Sequence, residues 1–403
     1  MNWRTMNIKN QNVVSRVIGR DAQRGFTLIE LMISLVLGLI LVGGVMSVFS
    51  SNREAFRSTE NLARMQENAR VAFDLMARDI REAGTNACGS KLVANVTRSS
   101  TAIPWWSDWN LGPLRGYDAG QDVTSIVAIG TSANSRLTGT DAVLVMHASS
   151  DEKIITAHNK TTYEITLNSV DGLDQGDVVI ACDPSSAAIF QIDTKNATTK
   201  VISHAADTTN INCNSNLDYL TTDSTPRQTD STCASTDTNF AGKQFAAGGV
   251  LAKLVTNFWF IGVNSAGKSS LMRKKLTTTG STMKTATATT EEVLEGVKDM
   301  QIEYLTKNAS SGALATSWIP ANDPTDTANP NPILADASGG WQGDHNIFNT
   351  THPTANLNQP VAARITLTLE SDEKIGDGRT NVNRTLIHVV GIRSRDLLFQ
   401  ASK

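Results

Sequence analysis

The chain is poor in aromatics, which make up 5% of its 403 residues, and its charges nearly cancel, at a net −3. Without a basic excess there is no overall field to gather nucleic acid. Only four cysteines occur, Cys88, Cys182, Cys213 and Cys233, and no two form a CxxC. That spacing argues against a zinc knuckle. In an oxidising compartment four cysteines allow any of three pairings, and the sequence does not choose among them. In a reducing one they read as small buried thiols. HExxH and GxSxG are both missing, and the histidines, His147, His158, His204, His345, His352 and His388, are scattered. Zinc-dependent and serine hydrolysis therefore lack a visible constellation. No proline falls between residues 26 and 103, so nothing there breaks a helix. What the chain does have is Thr, Ser, Asn, Asp and Gly crowding its middle and C-terminal thirds. That composition suits a β-rich, loop-heavy exported protein.

The N-terminus is the most informative region. Residues 1–25 carry Arg4, Lys9, Arg16, Arg20 and Arg24 against Asp21 alone. From Phe26 to Ser50 the single ionisable residue is Glu30. About 20 apolar residues span a bilayer, so residues 26–50 are long enough to do so. The basic flank leaves the N-terminus in the cytoplasm and the bulk of the chain outside. A secretory signal has an apolar region of about 7–15 residues and a small-residue cleavage site after it. This run is longer, and no A-x-A site follows.

The helical pattern continues through residues 51–84. Apolar residues recur at Leu62, Met65, Ala69, Ala72, Phe73, Met76, Ile80 and Ala83, steps of three and four that draw one helical stripe. Glu60–Arg64, Arg70–Asp74 and Asp74–Arg78 are i,i+4 pairs of opposite sign, and Glu67–Arg70 is an i,i+3 pair. Gly84 fits a C-cap. A helix over 26–83 would be roughly 85 Å long at about 1.5 Å per residue. A membrane anchor followed by a coiled coil predicts the same helix, but it does not predict Glu30.

An acid in lipid needs a partner. If the chain is cut between Gly25 and Phe26, the new terminus is an ammonium four residues before Glu30. With subunits stacked at an axial stagger, one Glu30 meets the next subunit's Phe26 amine. A pair about 4 Å apart is worth on the order of 4 kcal/mol at an effective dielectric near 20. The plainer alternative is an acid snorkelling to the headgroups.

Arg24-Gly25-Phe26-Thr27-Leu28-Ile29-Glu30-Leu31 resembles the processing site of type IV pilins and pseudopilins. The resemblance implies that prepilin peptidase cuts after Gly25 and methylates Phe26, and that Glu30 is the assembly acid. One departure is Ser47, where many major pilins have proline. Gly43 and Gly44 offer local softness instead.

Beyond Gly84 the pattern changes to short strands and polar loops. Strands are expected at Ala142–His147, Tyr163–Leu167, Val178–Ala181, Ile189–Ile192, Leu251–Val263, Leu271–Leu276, Val297–Leu305, Ile365–Leu369 and Leu386–Ile392. Residues 205–245, 277–290 and 308–358 read as long loops. The expected fold is α+β, pilin-like: a spine helix whose second half packs on an antiparallel, β-rich head, residues 85–403.

"PLRGYD" (113–118), "GTDAVLVMHAS" (139–149), "GDVVIACDPSSAAIFQI" (176–192), "VLEGVKDMQIEYL" (293–305) and "VVGIRSRDL" (389–397) are similar, in that order, to stretches of PilW-type minor pilins. The J-type pseudopilins of type II secretion share the spine and part of the C-terminal pattern, but are usually shorter. The resemblance implies a non-enzymatic subunit that helps prime and tip the type IV pilus, serving twitching motility and adhesion. It would wait in the inner membrane with its head in the periplasm, then move to the pilus tip. Implied partners are prepilin peptidase, other minor pilins, the major pilin, the inner-membrane assembly platform and a tip adhesin. No cofactor is implied.

Several other stretches carry a second reading. "GVNSAGKS" (262–269) fits the P-loop pattern, the basis for an alternative as a membrane-anchored nucleotide binder or enzyme. But "SLMRKKLTTTG" follows it, β-like and then Thr-rich, where a P-loop requires a helix N-terminus. The expectation is a hairpin with its turn at Asn264–Lys268. "PWWSDW" (104–109) reads as core packing before contact patch. Arg273, Lys274 and Lys275 read as solubilising charges on an edge strand before phosphate contacts. His345 and His352 read as solvated, and "DPTDTANPNP" (323–332) lacks an EF-hand pattern.

Overall fold

The computed structural model describes residues 25–89, 93–97, 104–109, 112–119, 121, 123–206, 211–217, 242–279, 285–308, 312–321, 341–343, 358–375 and 380–393. His345, His352, Cys233 and the 323–332 stretch lie outside the described residues. The chain forms two compact units, divided after Ser58.

Helix α1 runs from Leu28 to Glu82 and belongs to both units. In the first unit its side chains are exposed as far as residue 57, and it is long and apolar enough to cross a membrane. In the second unit it has one buried face: Met65, Ala69, Ala72, Phe73, Met76, Ala77, Asp79 and Ile80. The apolar members of the stripe are there, with Leu62 half-buried. Of the expected charge pairs, Glu60–Arg64 closes at 2.7 Å. The helix stops at Gly84, which takes φ +73° and donates its amide to Met146 O at 2.8 Å. A left-handed residue is what a helix C-cap requires, and glycine adopts it without a Cβ clash.

The head is β-rich. Its larger sheet is built around β10 (Val250–Val263), whose fourteen residues serve two sets of neighbours. The first part pairs with β6 (Val178–Cys182) and β4 (Lys153–Asn159), the later part with β3 (Ala142–Ala148) and β11 (Ser269–Thr279). From β6 the sheet continues antiparallel to β7 (Ala187–Gln191) and then, in parallel, to β1 (Val93–Asn95). From β4 it continues through β5 (Glu164–Leu167) and β9 (Val201–Ser203) to β8 (Lys195–Asn196). β2 (Leu114–Tyr117) joins β3 to β15 (Trp341–Gly343), and β12 (Thr285–Glu295) pairs with β11. A separate sheet has the order β14 (Ile319–Pro320), β13 (Val297–Asn308), β16 (Asn358–Ile375), β17 (Thr380–Gly391).

Period-two alternation sends neighbouring residues of one strand into different cores. Val143, Val145, Trp259 and Ile261 pack with the helix face and the second sheet. Ala142, Leu144, Met146, Phe258 and Phe260 pack on the other side with Trp106 and Trp109. A third core gathers Ile155, Ile165, Phe190, Ile202 and Phe245. The expected strands are present, several with longer limits. The loop reading of 277–290 is corrected: β11 extends to Thr279 and β12 begins at Thr285. Within 308–358, residues 319–320 and 341–343 are also strands.

Candidate functional site

Gly25, Phe26 and Thr27 precede the helix, and all three are exposed. Thr27 is its N-cap. Glu30 Oε2 accepts from Thr27 N and Thr27 Oγ1, each at 3.2 Å, while Glu30 N donates to Thr27 Oγ1 at 3.3 Å. This is a reciprocal capping box. The isolated acid has a partner within its own chain, a hydroxyl and an amide three residues back. The T-x-x-E spacing of 27–30 carries that signal in the sequence, and a search for a counter-ion passes over it. The geometry leaves the Gly25–Phe26 peptide outside the helix and gives the carboxylate a fixed place one turn along it.

The second feature is the joint between helix and head. Asp79 lies on the buried helix face. Its Oδ2 accepts from Trp259 Nε1 at 2.7 Å and from Asn257 Nδ2 at 2.8 Å, both on β10. His147 of β3 stands beside it, with Nε2 3.9 Å from Asp79 Oδ1 and Nδ1 3.5 Å from Glu82 Oε2. Burial disfavours a charged His147, but the Asp79 carboxylate, the Ala148 carbonyl and Glu82 outweigh it and hold the ring above its ordinary pKa. An apolar stripe search cannot find Asp79, because its value lies in polar donors far away in sequence.

The three cysteines among the described residues are all disulfide-bonded. Cys88, just past the helix, is bonded to Cys182 at the end of β6. Cys213 is disulfide-bonded as well.

The P-loop match is a hairpin, as its flanking sequence predicts. Asn264 N donates to Lys268 O at 2.9 Å, and Asn264 Oδ1 accepts from the amides of Ala266 and Lys268. Gly267 supplies the left-handed position at φ +77°. Strand β11 follows where a helix would be needed, and Lys268 pairs with Glu295. The expectation of an edge strand at 273–275 fails, since β11 lies between β10 and β12. Arg273 and Lys275 both pair with Glu291 of β12, while Lys274 reaches Ile126 O. Trp106 and Trp109 are core residues, and Trp105 packs edge-on to Phe258 at 6.5 Å. Among the described residues no group of three or more His, Cys, Asp or Glu could hold a metal.

Residues 20–46, covering the capped helix start, match the prokaryotic N-terminal methylation motif. That defines the class: a subunit with a prepilin-type N-terminus and a membrane-anchoring helix. Residues 258–389 match type IV pilus-assembly protein W. No curated protein matches the chain. The two matches together support a PilW-like type IV minor pilin.

Proposed function

We propose that this minor pilin primes assembly of the type IV pilus and occupies its tip. The observation that carries the reading is an exposed Gly25–Phe26 peptide directly ahead of a capped, membrane-length helix, inside the methylation-motif match. On this reading residues 1–25 are a leader removed by prepilin peptidase, and Phe26 becomes the methylated terminus. Residues 26–50 hold the chain in the inner membrane, with the head in the periplasm. Residues 51–84 carry the buried face that joins the head. Glu30 is the assembly acid, exchanging its capping bonds for the Phe26 ammonium of an adjoining subunit. The partners are prepilin peptidase, other minor pilins, the major pilin, the inner-membrane platform and a tip adhesin. The chain turns over no substrate.

Mass spectrometry of the mature N-terminus tests the processing step. A methylated Phe26 is expected, and an intact Met1 or a cut beyond Ser50 removes the reading. Deleting the gene separates pilus from secretion roles: loss of twitching with normal exoprotein release is expected, and the reverse result would move the chain to the J-type pseudopilins.

A further inference from the structure

His158 of β4 and His204, just after β9, are both buried, 5% and 1% exposed. Their Nε2 atoms are 3.0 Å apart and their rings meet edge to face. The Phe245 amide donates to His158 Nδ1 at 2.9 Å. An amide N–H can only donate, so His158 Nδ1 is bare and its proton sits on Nε2. That proton points at His204 Nε2, which must also be bare. The result is a one-way wire from the Phe245 amide through His158 to His204, with both rings neutral. A further proton can land only on one of the two accepting nitrogens, where it would face a donor.

The wire holds a strap, residues 242–249, over the third core. Phe245 is 2% exposed and stacks on His158 at 5.6 Å. Gln244 Nε2 donates to His158 O, and Gly248 N to Ile155 O, each at 2.8 Å. The charged and titratable groups around the pair offer no counter-charge. Lys243 on the strap lies 5.2 Å above the Phe245 ring and is paired with Asp183 of the β6–β7 turn at 2.7 Å. Asp193 accepts from Ser203 Oγ, and Glu164 of β5 from Thr162 Oγ1. Lys160 follows β4, and the Tyr163 ring stands 5.9 Å from His204. Among the described residues neither imidazole has an ion-pair partner. Burial, then the Lys243 charge, pull His158 down to about 4. Burial, then His158 itself, take His204 to about 3.

We propose that this wire is an acid-release latch: protons entering His158 and His204 free the strap and lift Phe245 out of the head, while the helix-packed core stays closed. The folded rings bind protons less readily than free imidazole, whose pKa is about 6.5, so falling pH favours the released form. Each proton taken up multiplies the released population about tenfold per pH unit, and the pair about a hundredfold. Asp183 does not blur this window. Burial opposes its charge, but Lys243 and the Ser185 and Ser186 donors outweigh burial and hold it well below the usual carboxylate range.

The test is hydrogen exchange, read by mass spectrometry, on the full chain in detergent from pH 7.5 to 4.5. Rates are corrected with an unstructured reference peptide. Protection of residues 243–249 should fall close to a hundredfold per pH unit below about pH 6, while the β3 amides keep theirs. His204→Phe should cut the slope to about tenfold per unit. Gln244→Ala, which removes the strap's Nε2 bond to His158 O without touching a titrating group, should move release to higher pH at unchanged slope. Protection at 243–249 that ignores pH in the wild type overturns the latch, as does an unaltered slope in His204→Phe. So does loss of β3 protection at the same pH, which would mean global unfolding.

Discussion

Replacing Asp79 by alanine takes away an acceptor that two buried donors share. Trp259 Nε1 and Asn257 Nδ2 both end on the Oδ2 atom, and the two side chains are buried. An orphaned buried donor costs roughly 1–3 kcal/mol, so two orphans give a loss on the order of 4 kcal/mol. The His147 ring adds a pH dependence. A histidine held above its ordinary value stabilises the fold below about pH 6.5, and that contribution fades as pH rises through its folded pKa. Alanine at 79 removes the main cause of the rise, so the deficit should be larger at pH 6 than at pH 8.5. Asparagine at 79 keeps an acceptor oxygen and should lose about half as much, the charge-assisted share of the bonds. The measurement is guanidinium unfolding of the full chain in detergent, followed by tryptophan fluorescence at both pH values. A deficit for Asp79→Ala under about 1 kcal/mol would refute the shared-acceptor account, because one orphan alone should exceed it. Equal damage from Asn and Ala would refute it too.

Glu30→Ala should abolish incorporation into pili while leaving the head's melting profile unchanged, with sheared pili scored by immunoblot. Cys88→Ser opens a loop with a sequence separation of 94 residues; chain entropy alone then predicts a loss of about 4.7 kcal/mol in the same unfolding assay. A Cβ at Gly116 would lie 2.4 Å from Tyr304 Oη and 2.8 Å from two ring carbons, so Gly116→Ala should cost about 3 kcal/mol. It should cost less in a Tyr304→Phe background, and the double-mutant cycle reads the difference. Lys268→Ala should leave piliation unchanged, since that side chain serves Glu295.

The spine was legible because a single apolar stripe and a missing proline over-determine a helix. The large strands were legible for a similar reason, β-branched and aromatic residues between polar breaks. β12 was not. Its first half, Thr285 to Thr290, has the Thr-rich composition of a loop, and only its antiparallel partner β11 makes it a strand. That one omission also explains the misplaced edge: with β12 unread, Arg273–Lys275 had no neighbour, and Glu291 no reason to face them. β4 was hidden by its burial, in which Ile154, Thr156 and Ala157 are exposed and no clean alternation survives. The two halves of β10 looked like one long strand, and nothing local in them announces that they serve different neighbours. At the candidate site Gly25, Phe26 and Glu30 stood out by motif. Asp79 and the His158–His204 wire did not, since their partners lie far along the chain.

The Cys88–Cys182 bond changes how tension would travel through the head. A pull on the spine reaches its last turn, passes Gly84, and four residues later meets a covalent link into the middle of the large sheet. Residues 89–181 are thereby taken out of the line of traction. They cannot be paid out like slack rope, however hard the helix is drawn, until the bond itself is reduced.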